Sequence, residues 1–477
     1  MRSIEKIGLF IGVLFIAKYI ADQVARNNYF LIIAIFVAFF YIVYSSWNNK
    51  FTLLSISAFI PFIIPGGSLF AIGGRWIELL APVFTVLLLF EIYSQKRSMF
   101  PRKAALFIIA VAVIGIWCIM NYIKNPVSGS SLGVDYKGGG IRSYYIIVIG
   151  MTTFLFSLWF FTYKEIKVQK WLWILIVSCL IIGDLRIIAY SQDYEMPFLG
   201  AIFNYTWYRS GQSQIVISGL REMAALGIPL IISILHIGKL NIYSSLALIN
   251  IIAFMILGGG KSNFVAILFA VGSYIILFHR KYLLPAILLP LILLSIVYFA
   301  DLSVSKLKFS RALDLGGGIE QQSSDRYYTF IYMWKIIKDN PVFGKGIGHI
   351  DVNLRDIEAG RLNTASEKLL TKIIEGRVSG IGGHGAYFSM ISVFGVGGIF
   401  FLAVMLFGGI YYAYRIIRER DELSDDAQLA LFAFTFLLIL ALTFVAGGNG
   451  YDSYELWFFA GMIAGLKAKE RVKNVTV

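Results

Sequence analysis

The residues best suited to chemistry are a lone histidine and a few arginines set between apolar runs. His384 stands in GGHGAYFSMISVFGVGG, one residue ahead of a nine-residue apolar stretch that ends at Gly395-Val396-Gly397-Gly398. An imidazole is the side chain best matched to taking a proton near neutral pH, and the same residue at a helix mouth can equally serve as a hydrogen-bonded interfacial histidine. Arg75, Arg186, Arg209, Arg221 and Arg326 fall on or near the face where basic residues are disfavoured in membrane proteins. A guanidinium there needs an anion. Glu78, Asp184 and Glu222 are near enough in sequence to pair with Arg75, Arg186 and Arg221, while convergence on one cleft would instead make a phosphate clamp. No metal-ligand spacing joins His384 to His236, His279 or His349, so no metal and no cofactor are expected.

A second motif follows Arg326. In SSDRYYTFIYMWKIIKDNPVFGKGIG the apolar residues of Tyr327–Lys338 recur at helical spacing, Asn340-Pro341 stops the helix, and Gly344-Lys345-Gly346 makes a tight turn. A phosphate loop would need Ser or Thr after its lysine, and Gly346 stands there, so helix termination is the better account. Ala365–Ile374 is patterned in the same way, which predicts two amphipathic helices lying near a membrane surface. Lys261-Ser262 opens another apolar run and is either an anion contact or a loop charge.

The elements that must position these residues are membrane helices. Hydrophobic residues make up 58% of the 477 and charged residues 15%, a balance that a water-soluble surface would not tolerate. The net charge of +14 is spread over short clusters between apolar runs, which argues for membrane topology and against nucleic acid. Cys118 and Cys179 lie inside apolar runs, where a disulfide is not expected.

The predicted fold is an all-α polytopic membrane protein of about fourteen helices with a large, partly helical periplasmic loop. The spans are 5–22, 29–46, 51–65, 75–93, 104–122, 143–163, 170–189, 216–235, 240–258, 262–279, 282–300, 385–412, 428–446 and 454–467. Residues 1–300 would hold helices one to eleven, 301–384 the extracytoplasmic loop, and 385–477 the last three. Basic clusters at 96–103, 164–170, 280–281, 415–420 and 467–473 all fall on one side, which the positive-inside rule makes cytoplasmic together with both termini. The first apolar run reads as a retained helix, not a cleaved signal.

In order, the segments from Tyr208 to Leu406 resemble the bacterial O-antigen ligase and Wzy-type O-antigen polymerase superfamily. The resemblance rests on Arg209-Ser-Gly211, on a helix opening at Lys261-Ser262, on Arg326 with Asn340-Pro-x-x-Gly-x-Gly, and on His384 nine residues and one glycine ahead of the Gly395–Gly398 unit. Gly385 departs from the usual Asn, Ser or Gln, and Lys261-Ser262 from Ser-Arg.

The resemblance implies metal-independent transfer of a glycan from undecaprenyl diphosphate to a sugar hydroxyl at the outer leaflet of the bacterial inner membrane. His384 would serve as catalytic base, and Arg326, Arg209 and, added on physical grounds, Arg221 would bind the diphosphate. The partners implied are the lipid-linked oligosaccharide donor, a glycan or lipid A core acceptor, membrane lipid and a chain-length regulator. Gly385 favours the polymerase over the ligase, and a flippase or secondary transporter is the alternative of a different class.

Overall fold

The computed structural model describes residues 101–124, 141–191, 214–237, 241–258, 261–279, 386–420, 424–446 and 453–475, with 334, 336–344 and 346 between them. Every regular element among these residues is helical. The long helices are α1 (Ala105–Lys124), α2 (Ile141–Tyr163), α3 (Val168–Ser191), α4 (Gln214–Ile237), α5 (Ile242–Gly258) and α6 (Lys261–Phe278). After the loop come α7 (Ala386–Phe394), α8 (Val396–Leu402), a π-helical segment (Ala403–Gly408), α9 (Gly409–Glu419), α10 (Asp425–Ala446) and α11 (Tyr454–Val475). Four helices among the described residues are long and apolar enough to cross a membrane: Arg102–Lys124, Ile146–Tyr163, Val396–Glu419 and Asp425–Val445. The spans expected at 5–22, 29–46, 51–65, 75–93 and 282–300 lie outside the described residues.

Helices in an apolar solvent gain little from burying more hydrocarbon, so small residues that admit a neighbour's backbone decide which of them pack. Gly461 and Gly465, four apart on α11, show this. A Cβ on either would fall 2.5 Å from the Phe154 carbonyl oxygen or 2.7 Å from that of Leu158, both on α2. Ser157 Oγ then donates to the Phe458 carbonyl at 2.8 Å, and the Trp457 indole fills the space over Gly150. The matched order of these contacts makes α2 and α11 parallel. On the other side of the bundle, Gly183 of α3 faces the Phe254 ring and Gly227 of α4 faces Ile251, which brings α3, α4 and α5 together. Cys179 Sγ contacts the Met223 carbonyl at 3.3 Å, and both cysteines are buried and free.

One end of the bundle gathers the charge. Asp426 pairs with Arg420 and with Lys469 at 2.9 Å, while Arg420 also donates to the Leu466 carbonyl at 2.9 Å. Asp425 and Asp426 sit in the first turn of α10, where the exposed amides favour carboxylates. Lys164 lines the same small cavity as both, Lys467 lies over the Tyr412 ring at 3.4 Å, and the turn Arg102–Ala104 packs on α11. The basic clusters at 102–103, 164–170, 415–420 and 467–469 therefore share an end, in keeping with the alternation expected from the sequence.

Candidate functional site: a glycine-locked hairpin

The helix that begins beyond His384 is not the continuous span expected over 385–412. Gly395 adopts φ 56° and ψ −132°, a conformation that a Cβ makes costly, and the chain reverses there. Residues 387 and 407 would stand about 30 Å apart on a straight helix. Instead the Tyr387 and Phe407 rings stack with centroids 6.2 Å apart. A Cβ on Gly398 would lie 2.3 Å from the Met390 carbonyl oxygen, so α7 and α8 form a tight antiparallel hairpin with Gly395 at its tip. Tyr387 anchors the start of α7 by donating to the Ala441 carbonyl at 2.7 Å on α10. That start consequently lies against the middle of the Val396–Glu419 span, beside the π-helical segment that contains Phe407. Helical bulges of this kind often accompany function.

The second glycine motif docks on the tip of the first. The chain is helical at 336–339 and stops at Asn340-Pro341, as expected from the sequence. Gly344 and Gly346 then take φ values of 69° and 92°. The Val396 amide donates to the Pro341 and Val342 carbonyls at 3.1 and 3.2 Å, and the Gly346 amide donates to the Val393 carbonyl at 3.1 Å. The approach is backbone to backbone: a Cβ on Gly344 would sit 2.3 Å from the Val393 carbonyl carbon and oxygen, and one on Gly395 2.4 Å from the Val342 oxygen. Two motifs about fifty residues apart in the chain are thus one structural unit.

Helix α1 holds both halves. Trp117 Nε1 donates to the Val342 carbonyl at 3.2 Å, and Asn121 Nδ2 donates to the Val393 carbonyl at 3.3 Å. The Trp117 ring also closes over Gly397, where a Cβ would come within 2.8 Å of it. Phe343 packs at 5.7 Å from Trp117 and receives Lys124 over its ring at 5.8 Å. The end of the first expected amphipathic helix is two-faced as predicted, with Ile336 buried and Trp334 exposed and Lys338 over the Trp334 ring. The rest of Tyr327–Lys338 and all of Ala365–Ile374 lie outside the described residues.

His384 lies two residues ahead of α7 and, like Arg326 and Arg209, lies outside the described residues. Arg221 falls on α4, fifteen residues before His236 and so about 22 Å from the basic end of that helix. Ala441 is sixteen residues into α10, about 24 Å from the same end, and α4 packs on α10. Arg221 and the start of α7 are therefore at similar heights. Asp184 accepts from Asn250 Nδ2 through both carboxylate oxygens at 3.2 Å, an amide partner that the sequence did not announce.

His236 and His279 are also brought together from two helices. The Tyr274 hydroxyl lies 3.0 Å from His236 Nδ1 and 2.8 Å from His279 Nε2, at the charged end, away from the hairpin. Among the described residues no three His, Cys, Asp or Glu side chains are grouped to hold a metal ion. No protein-family model matches the chain, and no curated protein matches it.

Proposed function

We propose that this chain is a membrane glycosyltransferase that moves a glycan from undecaprenyl diphosphate onto a sugar hydroxyl at the outer leaflet of the bacterial inner membrane, in the polymerase form. The observation that carries the reading is the docking of Asn340–Gly346 on Gly395. The resemblance pairs one of these motifs with Arg326 and the other with His384, and the docking of one motif on the other supports reading them as parts of one site. In the reaction, the acceptor oxygen forms the new bond to the anomeric carbon as the bond from that carbon to the diphosphate oxygen breaks. His384 takes the acceptor proton, and Arg326, Arg209 and Arg221 balance the charge left on the departing lipid diphosphate. The hairpin end faces the periplasm and the basic end the cytoplasm.

A transport reading has one specific observation in its favour. Half-helices that fold back inside a bundle are common in transporters, where they aim a helix end at a substrate, and α7 is such a half-helix. The experiment that separates these readings supplies purified protein in vesicles with undecaprenyl diphosphate-linked repeat units, with or without lipid A core. Lengthened glycans support the polymerase. Transfer only to lipid A core replaces it with the ligase, and movement of intact donor across the bilayer without a new glycosidic bond overturns the transferase.

A further inference from the structure

We infer that Trp117 and Asn121 of α1 are positioning residues for the transfer, setting the loop that follows Arg326 against the hairpin that follows His384. The inference rests on the proposed transferase reading for its catalytic consequence, but its structural part stands without it. The two side chains are four residues apart and so lie on one face of α1, one turn from each other. Each has one donor on the lock: the indole N–H reaches the Val342 carbonyl on the loop, and the amide N–H₂ reaches the Val393 carbonyl on the hairpin. The two carbonyls belong to the strips that the backbone hydrogen bonds already join. Helix α1 is thus a bracket with one side-chain hydrogen bond to each half.

Asn121 is 0% exposed, and its Oδ1 has no hydrogen-bond partner among the described residues. A buried amide oxygen left unpaired weakens a fold, and an apolar side chain of the same size would avoid that loss. A residue serving stability alone would be better as leucine. What asparagine supplies and leucine does not is the N–H on Val393, which fixes how far the hairpin tip sits from the helix that also carries the loop.

The test uses the full chain with cysteines at Val342 and Val396, which are 50% and 52% exposed and adjacent across the lock. Disulfide yield under mild oxidant reports docking of the loop on the hairpin, and the apparent unfolding temperature reports stability. In this background Asn121→Leu should keep or raise the unfolding temperature while lowering the disulfide yield about fivefold. Trp117→Phe, which keeps an aromatic ring at the position and removes the indole N–H along with part of the ring, should lower the yield in the same direction. In the chain with native Val342 and Val396, both variants should reduce the maximal transfer rate about tenfold with the acceptor KM within twofold. Unchanged disulfide yield in both variants overturns the bracket whether or not the protein is a transferase. Reduced yield with an unchanged transfer rate leaves the bracket structural and overturns its positioning role. A wild-type chain that cross-links yet transfers no glycan overturns the positioning role together with the transferase reading, while the cross-linking difference between wild type and variants still decides the bracket.

Discussion

The two ends of this bundle are held by different means. At the charged end, Asp426 is clasped by Arg420 and Lys469, and the partners are long side chains that can adjust. At the hairpin end the contacts run between backbones, through Gly344 and Gly395, with no room for a single added carbon. The first arrangement tolerates change and fixes helix ends in a general way. The second defines one geometry, which is what a site must have if groups from a loop and a helix are to meet substrate together.

Substitutions that tax each end should break or sharpen this contrast. Gly395→Ala is expected to be the most damaging, because it combines a positive φ with an overlap onto the Pro341 and Val342 carbonyls. We expect a loss of about 3 kcal/mol or more in unfolding free energy, read as a lowered unfolding temperature in detergent. Asp426→Ala leaves Arg420 and Lys469 without their carboxylate and should cost about 2 kcal/mol, with the disulfide yield across the lock unchanged. Gly272→Ala is a control within a helix, since a Cβ there meets nothing within 4 Å. It should stabilise by about 0.5–1 kcal/mol, and a destabilised protein would contradict the open space beside Gly272. Glu419→Gln removes only the exposed Arg415–Glu419 pair and should leave the unfolding temperature unmoved.

Much of the helical architecture was legible from apolar runs: α1 to α6, α10 and α11 all begin within three residues of the spans expected for them. The shared basic end was equally legible, because alternating helices carry alternate loops to the same side. Direction at Gly395 was not. The glycines announced a break, but hydrophobic periodicity is the same whether α7 continues α8 or folds back along it. Trp117 and Asn121 were missed because a donor aimed at a carbonyl hundreds of residues away has no local pattern. The signal that could have found Asn121 is a lone amide in the apolar run of α1. His236, Tyr274 and His279 met for a related reason: α4 and α6 end on the same side, and sequence spacing within one helix does not register a pair formed between two. Of the proposed site residues, the sequence named His384, Arg326, Arg209 and Arg221; the structure sets Arg221 on α4 and adds the lock between the segments that follow His384 and Arg326.

The most direct measurement compares transfer by two variants, one that removes the proposed base and one that alters the charged end of the bundle. With wild-type protein transferring glycan from undecaprenyl diphosphate-linked repeat units, His384→Ala should slow the reaction about 100-fold or more. Asp426→Asn, once shown to be folded, should stay within about twofold of wild type, since its contacts lie at the end without a proposed role in the chemistry. Transfer that survives His384→Ala, or that is lost with Asp426→Asn in a folded protein, would contradict the assignment of the chemistry to the hairpin end.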